Sequence, residues 1–123
     1  MTITPPVILV ADDHPQICML LEDVLQSGGY DVIVAQNGLE AIQRTLMTQP
    51  ALVIVDGNMP IMDGWEACAR IRKQRPALPI LMLTVHTEPH QSDRSFASGA
   101  TMYLSKPFDT EVLLDVVGQL VAA

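Results

Sequence analysis

The sequence predicts an α/β fold, one doubly wound, five-stranded parallel sheet with five helices. Three observations lead to it. Short apolar runs alternate with amphipathic stretches five times along the chain. Three of those runs are apolar at every position, as expected of strands covered on both faces. The amphipathic stretches also carry recognisable helix start and stop residues. Strand-then-helix units repeated in this way pair as parallel strands joined by right-handed crossovers, which puts helices on both sides of the sheet.

Each element has its own justification. The first strand is Val7 to Ala11, and the helix after it gathers Ile17, Leu20, Leu21, Val24 and Leu25 into one stripe. Ser27, Gly28 and Gly29 supply its stop. Asp31 to Ala35 form a second, more mixed strand, and Asn37 with Glu40 has the capping-box spacing that starts the second helix. Leu52 to Val55 are apolar throughout, and Asp63 with Glu66 repeats the box for the third helix. Ile80 to Leu83 make the fourth strand; Pro89 suits the first turn of the fourth helix and Gly99 its end. Met102 to Ser105 form the fifth strand, followed by a helix with Val112, Leu113, Val116, Val117, Leu120 and Val121 on one face. The mixed character of the second and fifth runs marks them as the sheet edges.

A chain of 123 residues fits one domain, residues 1–123, and is long enough to bury a core without staples. Its 49% hydrophobic and 17% charged content describes a compact domain, not a disordered one. A net charge of -7 leaves little cationic surface for phosphate contacts, which argues against direct nucleic-acid binding. Cys18 and Cys68 lack CxxC companions and read as reduced core cysteines. The start MTITPP has no signal-peptide character, and no apolar run approaches bilayer length. The expected location is the cytoplasm, with no membrane partner; the oligomeric state stays open.

Five polar residues stand where apolar runs stop. They are Asp12 and Asp13 after VILVA, Asp56 after ALVIV, Thr84 after PILML and Lys106 after MYLS. Ligand sites of open parallel sheets lie outside the carboxyl ends of the strands, where all five would meet. Three carboxylates repel one another unless a cation lies between them, and hard oxygen donors suit Mg2+. Lys106 adds a point charge able to pair with a carboxylate or a phosphoryl oxygen. A carboxylate can also act as a nucleophile, forming an aspartyl-phosphate once cationic groups neutralise the incoming oxygens. Asp56 suits that role because it stands alone at its strand end, with Asp12 and Asp13 left to hold the ion and Thr84 to donate a hydroxyl. Taken singly, each has a plainer explanation: a strand-end Asp as a cap or turn residue, Lys106 as a loop lysine, Thr84 as a strand end. Their convergence on one edge is the argument for a site.

The segments ADDHP, VIVDGNMPIMDG, LMLT and YLSKPFD, in this order and spacing, resemble the receiver domain of bacterial response regulators over essentially the whole chain. The resemblance implies a flavodoxin-like sheet of order 2-1-3-4-5. It implies that Asp56 accepts a phosphoryl group from a phosphohistidine on a sensor histidine kinase or histidine phosphotransfer protein. Asp13 and Asp56 would bind Mg2+ directly, Asp12 through water, and the backbone carbonyl of Asn58 would complete the protein ligands. Lys106 would contact the phosphoryl oxygens, with Pro107 following a cis bond. Thr84 and Tyr103 match the switch pair, which acts on a surface of the fourth helix, fifth strand and fifth helix. The implied activity is self-directed phosphotransfer and autodephosphorylation, without turnover of a metabolite. The implied downstream partner is a target protein or an output domain outside this chain, which is either a whole single-domain regulator or part of a larger one.

Other functions fit less well. A phosphohydrolase with an aspartyl nucleophile would place a second Asp two residues on, where Asn58 stands. A flavin or nucleotide binder would need a phosphate loop after the first strand, where the chain has DDHPQ. A degenerate receiver would lack some of the polar positions filled here. Within the family pattern Gly57 stands where a larger apolar residue is common, which leaves its loop less packed. Asn58 and His86 flank the phosphoryl position and bear on how long it persists. His14 and His90 carry no stronger signal, and Trp65 reads as packing.

Val85 follows Thr84 where Ala or Gly is common, and its branched side chain narrows access to the phosphoryl group. Val85→Ala should therefore raise the rates of phosphoryl entry and of hydrolysis, measured separately; no rise in either rate rejects this role.

Overall fold

In the computed structural model, residues 4–85 and 91–122 are described, with residues 91 and 92 described as backbone only. The expected helix start at Pro89, together with His86 and His90, lies outside the described residues. The elements run β1 (Val7–Ala11), α1 (Pro15–Ser27), β2 (Asp31–Ala35), α2 (Gly38–Thr48), β3 (Leu52–Asp56), α3 (Gly64–Gln74), β4 (Ile80–Val85), α4 (Gln91–Ala97), β5 (Met102–Lys106) and α5 (Thr110–Ala122). All strand pairs are parallel and the order is β2-β1-β3-β4-β5. The two mixed runs form the edges. The strands β3, β4 and β5 extend one or two residues beyond their apolar runs, because the ladder continues through Asp56 opposite Leu83 and Val85 opposite Lys106. Polar side chains, the buried Asp56 and Thr84 among them, occupy those last rungs at the carboxyl end of the sheet.

Alternation along the strands divides the core into two layers. Leu9, Val53, Val55, Ile80 and Met82 face α2 and α3, meeting Ala41, Cys68 and Ile71. Ile8, Val10, Ile54, Leu81 and Leu83 face α1 and α5, meeting Leu21, Leu25, Leu113 and Val117. Every residue of β3 is buried, which is why its run tolerates no polar position before Asp56.

The helix ends follow the sequence signals. Asn37 Oδ1 accepts from the Glu40 amide at 2.8 Å, and the Glu40 carboxylate accepts from the Gln36 amide at 3.1 Å. Asp63 Oδ1 accepts from the Glu66 amide at 2.8 Å, but Glu66 turns outward to Arg70 instead of closing the box. At the end of α1 the Tyr30 amide reaches Leu25 O and the Gly29 amide reaches Gln26 O, with Gly29 at φ 93°. The same double closure recurs around Gly99, at φ 101°, after α4. These are Schellman stops, in which the left-handed residue is a glycine because no Cβ has to be accommodated.

At the amino end of the strands, Arg72 ties α3 to the turns entering β4 and β5. Its guanidinium donates to the carbonyls of Gly99, Arg75, Pro76 and Leu78 and to Thr101 Oγ1. Thr101 Oγ1 in turn accepts from the Ile80 amide at 3.1 Å. By contrast, Arg70 makes one exposed pair with Glu66 at 2.8 Å. Arg72→Ala should cost about 2–3 kcal/mol, since several carbonyls lose a charged donor. Arg70→Ala should cost less than about 0.5 kcal/mol. Urea unfolding of the two variants checks the contrast, and equal losses reject it.

Candidate functional site

The carboxyl ends of β1, β3 and β5 bring Asp12, Asp56 and Lys106 together. Asp12 extends β1 by one rung, its amide donating to Ala35 O at 3.0 Å. Asp56 ends β3 and Lys106 ends β5. Lys106 Nζ lies 2.9 Å from Asp12 Oδ2 and 3.3 Å from Asp56 Oδ1, joining the two carboxylates across the sheet. Asp12 and Asp56 are 1% and 2% exposed, so this ammonium compensates charges that water does not reach. Asp56 Oδ1 also accepts from the Asn58 amide at 3.4 Å, while Asn58 itself is exposed. The Lys106–Pro107 peptide bond is cis, as the resemblance implies.

Thr84 is fully buried in β4, one residue beyond Leu83, the register partner of Asp56. Tyr103 pairs with Met82, and alternation puts Thr84 on the same face as Met82. The Tyr103 ring packs edge-on to Phe96 of α4, with centroids 5.8 Å apart. Val85 is 41% exposed at the rim, in register with Lys106.

The structure also brings in His14, a residue with no strong signal in the sequence. Its amide donates to Asp12 Oδ1 at 2.9 Å, a turn that folds the residue back over the site. Its ring Nδ1 lies 3.0 Å from Asp12 Oδ1 and 3.2 Å from Asp13 Oδ1. The ring nitrogen is within hydrogen-bond reach of Asp12 Oδ1, while Asp13 Oδ1 is buried without a hydrogen-bond partner among the described residues. The signal was present in D-D-H-P, where an Asp two residues before His14 can accept its amide.

Electrostatics follow from this crowding. Burial pushes the Asp56 carboxyl above its ordinary range; the Lys106 charge opposes the rise and Asp12 adds to it. Burial works against the charge on Lys106, yet its hydrogen bond to Asp12 and the charges of Asp56 and Asp12 prevail, so its pKa is raised. His14 is raised by its hydrogen bond to Asp12 and then by the charges of Asp13 and Asp12. Cys18 donates to Asp12 O at 3.3 Å, and burial pushes its thiol up to about 11, so it stays protonated. Both cysteines are buried and free, as expected.

Ligand atoms of Asp12, Asp13, His14 and Asp56 lie within 4.8 Å of one another. The carboxylates provide hard oxygen donors, and the unpartnered Asp13 Oδ1 is an oxygen a cation would satisfy. The donor set therefore fits a small divalent ion such as Mg2+.

One expectation needs correction. Gly57 does not leave its loop less packed, because the indole of Trp65 fills the space. A Cβ on Gly57 would stand 2.3 Å from Trp65 Cη2. The start of α3 is equally close: a Cβ on Gly64 would stand 2.0 Å from Asp56 O, and the Gly64 amide donates to Gly57 O at 2.8 Å. Gly57 and Trp65, unremarkable singly, are complementary in space.

Comparisons with known proteins agree with this architecture. A family model for the response regulator receiver domain matches residues 8–118. The chain is 41% identical over 101 residues to the alkaline phosphatase synthesis transcriptional regulatory protein PhoP of Bacillus subtilis (strain 168), covering 82% of this chain and 42% of that protein. It is 38% identical over 113 residues to the sensor protein EvgS of Escherichia coli (strain K12), covering 92% of this chain and 9% of that protein. The chain thus spans less than half the length of these two relatives. Among solved structures, a putative response regulator from Chloroflexus aurantiacus J-10-fl superposes with a TM-score of 0.93 at 35% identity, covering 98% of this chain and 100% of that one. Chemotaxis protein CheY4 of Vibrio cholerae superposes with a TM-score of 0.88 at 35% identity, covering 95% and 99%. With the family model spanning nearly its full length and the sheet order matching, the chain belongs to the response regulator receiver domains of two-component signalling systems.

Proposed function

We propose that Asp56 accepts a phosphoryl group from a phosphohistidine on a sensor histidine kinase or histidine phosphotransfer protein, and that the product switches a protein-binding surface. The observation that carries this reading is the Lys106 ammonium between Asp12 and Asp56, 2.9 and 3.3 Å away. It supplies a positive charge beside a buried carboxylate at the edge of the sheet. In the reaction an Asp56 carboxylate oxygen forms a bond to phosphorus as the phosphorus–nitrogen bond of the donor breaks, and the departing imidazole keeps the electron pair. Lys106 stays close enough to Asp56 to stabilise charge on the transferring oxygens.

Asp12, Asp13 and Asp56, with the backbone carbonyl of Asn58, would hold Mg2+. When bound, the ion offsets the carboxylate charges and polarises the phosphoryl group. The ring of His14 would give up its contacts with Asp12 and Asp13 where those carboxylates hold the ion. Thr84 then donates its hydroxyl to the phosphoryl group, and Tyr103 gives up its present packing on Phe96 to turn inward. The readout surface is α4, β5 and α5, and its partner is a target protein or an output domain outside this chain. Hydrolysis of the acyl phosphate by water, governed by Asn58 and Val85 and, as the family resemblance implies, by His86, resets the switch. No helix among the described residues is long and apolar enough to cross a membrane; the proposed setting is the cytoplasm.

Incubated with Mg2+ and acetyl phosphate, the protein should gain the mass of one phosphoryl group, and Asp56→Asn should gain none. Lys106→Ala should slow uptake by about 100-fold or more. Equal mass gain in the wild type and Asp56→Asn rejects the assignment of the acceptor.

His14 provides a pH test. Its folded-state pKa is raised above the ordinary 6.5, so its contribution to stability is full below that value and is lost as pH rises through the folded midpoint. NMR titration of the metal-free protein should place the His14 midpoint above 6.5, and saturating Mg2+ should lower it. A midpoint unmoved by Mg2+ contradicts binding at Asp12 and Asp13.

A further inference from the structure

Trp65 is the sole tryptophan of the chain, and phosphoryl chemistry gives it no task. It is 5% exposed, the second residue of α3. Within the core layer it shares with the strands, its indole approaches Gly57 and Arg94, both outside that helix. On one side, Cη2, Cζ2 and Cζ3 crowd the position where a side chain on Gly57 would begin. Gly57 directly follows Asp56. On the other side, the guanidinium carbon of Arg94, in α4, lies 3.8 Å from the ring centroid. Arg94 also approaches Asp63, the residue capping α3, at 4.0 Å. The indole therefore spans the distance from the backbone beside the candidate acceptor to α4.

The attachments at its two ends differ in kind. The root of the ring is fixed to the acceptor loop, because Gly64 packs directly on Asp56 O and donates to Gly57 O at 2.8 Å. The contact with α4 is a cation–π stack, held by the charge of the guanidinium over the ring face. Trp65 Nε1 is buried without a hydrogen-bond partner among the described residues, so packing alone sets the tilt of the ring.

We infer that Trp65 is a positioning residue that couples the backbone at Gly57 to α4. Displacement beside Asp56 moves the rim of the indole, the indole moves Arg94, and by reciprocity the position of α4 biases the acceptor loop. The inference rests on the reading of Asp56 as phosphoacceptor for the signal it carries. The coupling itself is testable without phosphorylation.

Arg94→Ala removes the α4 end of the coupling and replaces none of the candidate site residues. In amide NMR spectra of the unphosphorylated protein, Arg94→Ala should shift the Gly57 and Asn58 amides, and Arg94→Lys should restore part of that shift. In a Trp65→Leu background the Arg94→Ala shift at Gly57 and Asn58 should fall at least twofold. If Trp65→Leu does not fold, Trp65→Phe serves, because its shorter ring withdraws from Gly57 and should reduce the shift in the same way. Shifts of equal size with and without the tryptophan, or no shift at Gly57 and Asn58 in either background, overturn the coupling. Phosphoryl uptake, read by intact mass on the same samples, reports on Asp56 separately, so a failure of the acceptor reading is distinguished from a failure of the relay.

Discussion

Two buried carboxylates on different strands would destabilise any sheet edge that held them together, and the contact of Lys106 with Asp12 and Asp56 is what makes this edge possible. The lysine comes from β5, at the side of the sheet, and reaches past β4 and β3 to the residue following β1. Its cis-linked proline neighbour, the buried Thr84 and the extended last rungs of β3 to β5 all belong to the same crowded edge. One ammonium does not balance three carboxylates. His14, 3.0 and 3.2 Å from Asp12 and Asp13, covers part of the remainder with its raised pKa, and Asp13 Oδ1 is left without a hydrogen-bond partner among the described residues. The edge is thus short of positive charge, which is the physical condition under which a divalent ion would be favoured there.

Much of this was legible in the chain. The fully apolar runs predicted the central strands and the mixed runs the edges, because a strand covered on one side only needs to be apolar on one face. The capping residues Asn37 and Asp63 and the stops at Gly29 and Gly99 act within a few residues, and so they leave a local signature. Strand order was not legible from hydropathy; it came with the resemblance carried by ADDHP, VIVDGNMPIMDG, LMLT and YLSKPFD.

What escaped the sequence has a common cause. Arg72 bonds mainly to backbone carbonyls, which every residue possesses and none advertises. His14 joins the site through its own amide as well as its ring. Gly57 and Trp65 fit together across eight positions of chain, and their complementarity exists only once α3 has docked on β3. A glycine read alone suggests looseness, whereas a glycine beneath an indole is a seat. Pairings of that kind are properties of the folded surface and not of either residue.

The clamp made by Arg72 has a further meaning for how the domain can change shape. It staples the entrances of β4 and β5 to the end of α3, far along the strands from Asp56 and Lys106. A sheet pinned at one end and adjustable at the other behaves as a lever with a fixed fulcrum. Small shifts among the side chains at the open end are then expressed as tilting of the elements around it and not as sliding of the strands. Arg72 thereby complements the ladders of β3, β4 and β5, which set the register, by holding the entrances of β4 and β5 together.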